Sequence, residues 1–249
     1  MKVIVLAAGF ATRLRPLTST IPKALLPLAD KPILNYTLNP LIPLLPGVSW
    51  SLVTNHTYIN QFNSWKQKYY NSLGLTIFDN QVVDSDHRLG AIGDLVFALN
   101  QTHWQDDLLV LASDTLTSLD WSKFLSFIQL HPTSPATVVC PTNDLSLIQN
   151  KLGCAIIKDD QLESFVEKPS NPPSNLRAVP FYYFPRAVIS KIVDYYQSGN
   201  SADSPGSILP YLLKVISIYA FNLGGNGYYH DVGTLEVYQS LQLHPPKLL

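Results

Sequence analysis

"KVIVLAAGFATRLRPLTSTIPKALLPL" spans residues 2–28, and its two halves decide how the chain folds. The first half, residues 2–8, is a short apolar run rich in β-branched residues that stops at Gly9, the pattern of a buried strand. The second half is a loop punctuated by Pro16, Pro22 and Pro27 that gathers Arg13, Arg15 and Lys23. Only 14% of the chain is charged, so three cations in one loop are a concentration. A surface connection needs no such cluster, whereas a loop that holds an anion does. Gly9 has no Cβ and lets the backbone approach a ligand. Arg13, next to Thr12, offers a planar fork suited to phosphate oxygens, and Lys23 a compact charge. Arg15 is read as solvated.

Outward from this strand the pattern repeats. "WSLVTN" (50–55), "LTIFDN" (75–80), "LLVLASD" (108–114) and "ATVVCP" (136–141) are further short apolar runs. Between them Tyr58, Ile59, Phe62, Trp65, Tyr69 and Leu73 fall at helical spacing, as do Ile92, Leu95, Val96 and Leu99. Pro40, Pro43 and Pro46 limit any helix after Lys31 to a short one. Strand–helix alternation with fully apolar strands predicts an α/β fold: a doubly wound, mostly parallel sheet covered on both faces. The later part is mixed. A hairpin is expected over 154–169 around Asp159-Asp160, a strand over 178–185, helices near 186–197 and 207–214, and a strand over 215–221 before the Gly-rich turn 223–234. This part is expected to pack against the sheet edge, leaving residues 1–249 as one domain.

The totals exclude several function classes. A net charge of -1 with no basic stripe argues against nucleic-acid or anionic membrane surfaces as partners. No apolar run reaches the length of a membrane span, and the opening run is too short for a signal peptide, so a cytoplasmic protein is the default expectation. Cys140 and Cys154 lack zinc-site spacing and are expected as small buried strand residues.

Ligands of open α/β sheets sit beyond the carboxyl ends of the strands. Three features fall there: the opening loop, "RLGAIGDL" (88–95) and "ASDT" (112–115). Neither the G-x-x-x-x-G-K-[ST] phosphate loop nor the G-x-G-x-x-G dinucleotide fingerprint is present, which disfavours a dinucleotide-dependent oxidoreductase.

The segment "LAAGFATRLRPLTSTIPKALLPLADKPIL" (6–34), followed in order by "LGAIGDL", "ASDT", "FVEKP" and "YYHDVGT", resembles the sugar-1-phosphate nucleotidyltransferases, including their glucose-1-phosphate thymidylyltransferase branch. The resemblance implies a Rossmann-like sheet with a small β region over the acceptor site, and transfer of NMP from a nucleoside triphosphate to a sugar-1-phosphate. By position it implies Leu6, Ala8, Gly9 and Thr12 at the nucleotide, with Gly90 and Gly93 lining the base pocket. Arg13 and Lys23 would grip phosphates. Asp114 and Asp231 would hold Mg²⁺. Gly153 would let backbone approach the sugar, Glu167 would bind sugar hydroxyls, Lys168 the acceptor phosphate, and Tyr182 would belong to the sugar pocket. Departures are Ala11 and Ser113 for glycines, Pro180 for the glycine before the pocket tyrosine, and Tyr229 for a tryptophan. Ala11 must adopt a backbone angle open to a residue with Cβ.

Two alternatives stay open on the residues. Aromatic residues 181–184 are expected to alternate between core and pocket wall, but as a cation-binding box they would make phosphocholine the acceptor. The departures would also suit a non-catalytic nucleotide-sugar-binding regulator. Asp114 and Asp231 have a structural alternative as caps of helices near 120 and after Thr234. Alternation turns His230 away from Asp231, as a structural histidine. His87 and Arg88 either touch the base or cap a loop. Asp106-Asp107 and Asp159-Asp160 are read as solvated turns.

Overall fold

A computed structural model describes residues 1–102 and 105–244. The first half runs β1 (Lys2–Leu6), β2 (Pro27–Leu28), β3 (Lys31–Pro32), α1 (Ile33–Leu41), β4 (Trp50–Thr54), α2 (Ile59–Tyr69), β5 (Leu75–Asp79), α3 (Gly90–Thr102) and β6 (Leu108–Ala112). There follow β7 (Thr115–Thr117), α4 (Trp121–Leu130), β8 (Ala136–Pro141), β9 (Cys154–Lys158), β10 (Gln161–Val166) and β11 (Leu176–Phe184). The last elements are α5 (Ile189–Gln197), α6 (Leu209–Leu212), β12 (Tyr219–Asn222), β13 (Tyr229–Asp231) and α7 (Leu235–Leu243).

One sheet takes nine strands in the order β5-β4-β1-β6-β11-β8-β12-β10-β9. β5, β4, β1 and β6 pair in parallel, as do β8 and β12. The remaining pairings are antiparallel, because β11 returns between β6 and β8 and the β9–β10 hairpin forms the far edge. The later part therefore does not rest against a finished edge; its strands extend the sheet.

Side-chain alternation along β1 explains the helices on both faces. Val3 and Val5 join one buried cluster with Leu34 and Leu38 of α1, Phe62 and Trp65 of α2 and Phe124 of α4. Ile4 and Leu6 join the other, with Ile92 and Leu95 of α3, Ile192 of α5 and Leu209 of α6. A strand buried on both faces has no polar side to show, hence its unbroken apolar sequence. A third cluster joins Leu14, Leu26 and Leu28 of the opening loop to Leu116 of β7, Val232 and α7 residues Tyr238 and Leu241. Each such side chain contributes about 1.5–3 kcal/mol by burial, so the cationic loop is anchored and not free.

The expected strand over 215–221 begins only at Tyr219, and the helix expected over 207–214 shortens to α6. Periodicity cannot separate helix end from strand start inside an apolar run such as "LLKVISIYAF". Asp159 and Asp160 form the two-residue turn of the β9–β10 hairpin, both at positive φ (49° and 60°), as a type I′ turn demands. Cys140 and Cys154 are buried and unpaired. Among the described residues no helix is long and apolar enough to cross a membrane.

Candidate active site

At the carboxyl ends of β1 and β6 a cleft of about 390 Å³ opens. Two distant segments meet there through a small ribbon: β13 pairs antiparallel with β7, placing Asp231 opposite Thr115, and the Val232 N–H donates to the Asp114 carbonyl at 3.2 Å. Asp114 and Asp231 both line the cleft, and the Lys23 ammonium sits between them, paired with Asp114 and 3.8 Å from Asp231. Burial alone would lower the Lys23 pKa, but the two carboxylates outweigh it and raise it. Burial raises the Asp231 pKa, against the pull of Lys23. Neither aspartate caps a helix: Asp120 caps α4 and Thr234 caps α7. Among the described residues no group of three or more His, Cys, Asp or Glu is placed to hold a metal, so these two carboxylates stand alone.

Buried hydrogen bonds from β4 and the start of α2 shape the cationic loop. Asn55, fully buried at the end of β4, donates to the Ala8 carbonyl at 2.9 Å. Thr18, also buried, donates to the Ala11 carbonyl at 2.9 Å, and Tyr58 donates to the Thr18 carbonyl at 2.6 Å. Arg13 lines the cleft and makes no ion pair among the described residues. Ala11 adopts φ 47° and ψ 45°, the left-handed region, where a Cβ costs about 1–2 kcal/mol. The family's glycine thus has a steric reason here, and alanine is the mildest departure from it. Ala11→Val, which adds β-branching to that angle, is expected to cost at least a further 1 kcal/mol. Thermal unfolding of the variant checks this: an unchanged melting temperature excludes strain at position 11.

The residues that the resemblance assigns to the acceptor also converge. Gly153, Glu167, Lys168 and Tyr182 line the cleft, as do Pro180 and Tyr229. The Glu167 carboxyl is raised by burial, while hydrogen bonding to Ser204 and the nearby Lys168 charge act against this. Lys168 is held at φ 48°, a strained angle for a residue other than glycine. Gly153 has an internal reason as well, since a Cβ there would collide with the Phe165 ring. Pro180 coincides with a register break between Val179 and Tyr182, where it withholds an N–H from the ladder. Of the aromatic run 181–184 only Tyr182 reaches the cleft; Phe181 and Tyr183 lie in the opposite cluster, and Phe184 stacks behind Tyr182.

Of the residues that the resemblance assigns to the nucleotide, Leu6, Ala8, Gly9 and Gly90 line the cleft. Gly93 and Thr12 do not. Gly93 has a packing reason instead, because a Cβ would come within 2.8 Å of Leu89 Cβ and 3.1 Å of the Tyr196 ring of α5. Thr12 is exposed outside the lining. His87 pairs with Asp84 in its own loop, and Arg88 reaches from the cleft rim to Asp203 at 3.3 Å. His230 stays outside the lining, as alternation requires, and burial lowers its pKa. Sequence reasoning passed over Lys151, the 203–205 loop and Asp94, all in the lining. Of these only Asp94 carried a signal, as a lone acid in the apolar helix "GAIGDLVFAL".

A model of the nucleotidyl transferase family matches residues 2–245. A Sulfolobus acidocaldarius protein provisionally named a mannose-1-phosphate guanyltransferase is 29% identical over 98% of this chain. A Synechocystis protein named UTP–glucose-1-phosphate uridylyltransferase is 28% identical over 90% of it. The chain spans only 62% and 58% of those relatives' lengths. A Bacillus anthracis structure provisionally named a glucose-1-phosphate thymidylyltransferase superposes with a TM-score of 0.78, covering 98% of this chain and 94% of that one. At 20% identity this last likeness concerns the fold. The loop motifs and the family match span the same residues, and the chain belongs to the nucleotidyl transferase family.

Proposed function

We propose that the protein transfers NMP from a nucleoside triphosphate to a sugar-1-phosphate, releasing pyrophosphate. The observation that carries this is the convergence of Asp114, Asp231, Lys23 and Arg13 in one cleft whose further wall holds Glu167 and Lys168. In this reading β9 and β10 are the small β region over the acceptor site of a doubly wound, Rossmann-like frame.

Two carboxylates that share a cation suit Mg²⁺, which takes few protein ligands and completes its shell with phosphate oxygens and water. Asp114 and Asp231 would hold it, and when bound it supplies charge neutralisation on the phosphates. The rest falls to side chains. A sugar phosphate with a second pKa of about 6 is largely dianionic at neutral pH. Its oxygen attacks the α-phosphorus, the new P–O bond forms, the α–β bridge breaks, and pyrophosphate leaves with the electron pair. No general base is needed. Lys168 positions the attacking phosphate, Glu167 the sugar hydroxyls, and Arg13 and Lys23 offset the charge of two anions brought together.

Pyrophosphate release from a panel of nucleoside triphosphates against sugar-1-phosphates and phosphocholine tests the reaction. Release with a sugar-1-phosphate is expected; none with any pair overturns it. Arg13→Ala is expected to lower kcat about 10²-fold with incomplete rescue by lysine, which lacks the fork. Lys168→Met should raise KM for any phosphorylated acceptor, whereas Glu167→Gln should reorder the ranking among sugars. Unchanged acceptor kinetics in both variants would place the acceptor elsewhere.

A further inference from the structure

Asp94 has no part in the chemistry above, yet it is only 7% exposed and lines the cleft. Gly90, Ala91 and Asp94 share one face of α3 by helical spacing, and all three belong to the lining. Asn80, which follows β5, donates its Nδ2 to Asp94 Oδ1 at 2.7 Å. Asn80 is itself fixed: its N–H donates to the Thr54 carbonyl at 2.9 Å, and its Oδ1 accepts from the Val82 N–H at 3.0 Å. The second oxygen of Asp94 accepts no hydrogen bond among the described residues. Burial raises its pKa to about 6, and only the Asn80 bond opposes this. A buried carboxyl with one oxygen locked and the other unused is poorly explained by packing.

Its position is set by the strand order β5-β4-β1-β6. Neighbouring strands lie about 4.8 Å apart. Asn80 follows β5, two spacings to one side of β1, while Asp114 follows β6 on the other side. A nucleoside triphosphate with its phosphates at Arg13, Lys23 and Asp114 would meet Asp94 with its base lying toward α3 and β5, in a wall that also holds the Arg88–Asp203 pair.

We propose that Asp94 reads the Watson–Crick edge of the nucleobase and selects guanine. This rests on the cleft being a nucleoside triphosphate site. An ionised carboxylate only accepts hydrogen bonds, through two oxygens. Guanine presents two adjacent donors on that edge, N1–H and the 2-amino group. Adenine and cytosine place a ring-nitrogen acceptor beside a single amino donor, and uracil and thymine flank one N–H with two carbonyls. Each of these sets an acceptor against the carboxylate. Relatives named for guanosine, uridine and thymidine nucleotides share the family and its fold, so family membership does not fix the base. Asn80 acts as a positioning residue that holds the carboxylate plane.

The test compares GTP with ITP, which lacks only the 2-amino group, and with ATP, CTP and UTP. It is done for the wild type, Asp94→Asn and Asp94→Leu, reading both equilibrium binding and pyrophosphate release. The wild type should prefer GTP over ITP by about 10-fold or more and over the other bases by about 10²-fold. Both variants should lose affinity for GTP, and their GTP/ITP ratio should fall toward one. A structural role would weaken all nucleotides alike and leave that ratio intact, which overturns the proposal. So does a wild type that prefers another base or binds no GTP. GTP bound without pyrophosphate release would defeat the reaction and leave the base assignment standing. Release with a base preference indifferent to Asp94 would do the reverse.

Discussion

Asp114→Asn is expected to lower pyrophosphate release about 10³-fold, the upper range for one preorganised electrostatic group. It should also lower the melting temperature by a few degrees. The second effect follows from Lys23, whose ammonium is paired with Asp114 in a largely enclosed site. Asparagine leaves that charge facing Asp231 alone at 3.8 Å. Breaking a partly buried pair costs about 1–3 kcal/mol, below the range for a fully buried one. Asp231→Asn should match the loss of turnover with a smaller loss of stability, because Lys23 keeps its nearer partner. Turnover titrated against Mg²⁺ separates the roles: a wild-type curve from either variant removes that residue from the metal site. If the caps of α4 and α7 had been these aspartates, both would lose stability and keep activity. Asp120 and Thr234 hold those positions instead.

Lys23 links fold and function in a way that its spacing does not reveal. A lysine in a loop is ordinarily solvated. Here Leu14, Leu26 and Leu28 pin the loop to β7 and α7, so the ammonium is carried to the ribbon that joins Asp114 to Asp231. Its single charge is paired with Asp114 and partly offsets Asp231, 3.8 Å away. In the proposed reaction Mg²⁺ would take over the charge of Asp114 and Asp231, and Lys23 would then be available to the phosphates, so the residue that pairs with Asp114 in the fold would also serve the chemistry.

The parallel half of the sheet was legible because strands buried on both faces leave continuous apolar runs, and helices between them keep a separate period. The β11 insertion was not. Its sequence, "LRAVPFYYF", is as apolar as a parallel strand, and direction is set by which neighbour it meets rather than by local preference. The β7–β13 ribbon was equally hidden, since strands of three residues carry no periodicity. The motif residues with charge, Arg13, Lys23, Asp114, Asp231, Glu167 and Lys168, do meet in one cleft. Two motif residues without charge, Gly93 and Thr12, lie outside it: Gly93 is crowded by Leu89 and Tyr196, so packing accounts for the glycine, and Thr12 is exposed. Asp94 was passed over for the converse reason: one acid in an apolar helix has no spacing partner in sequence, and Asn80 meets it only in space.

Asp94→Asn is expected to stabilise the ligand-free protein at pH 8 and to leave it almost unchanged at pH 4. The sign follows from the raised carboxyl. In the unfolded chain Asp94 loses its proton near pH 4, but in the folded protein it keeps it up to about pH 6. The stability this confers is fully present below the unfolded pKa and is lost as pH rises through 6. Above that pH the fold carries a buried anion whose direct hydrogen-bond partner, Asn80, is neutral. The charged groups of the nearby cleft rim, Arg88 and Asp203, are occupied with each other. The rise to about 6 corresponds to an upper bound of about 3 kcal/mol, or several degrees in melting temperature at this chain length. Asparagine keeps an oxygen for the Asn80 amide and carries no charge, so it avoids the loss. Melting temperatures of both proteins at pH 4 and pH 8 check this, with Asp94→Leu as a control that removes the hydrogen bond as well. A variant no more stable than wild type at pH 8 would mean that the folded protein already compensates the carboxylate. A stabilised variant at pH 8 would show that the Asp94 carboxylate costs the fold stability, the pattern expected of a group placed for a ligand. If Asp94 reads guanine as proposed, saturating GTP should narrow the gap at pH 8, because the base would give the wild-type carboxylate two donors.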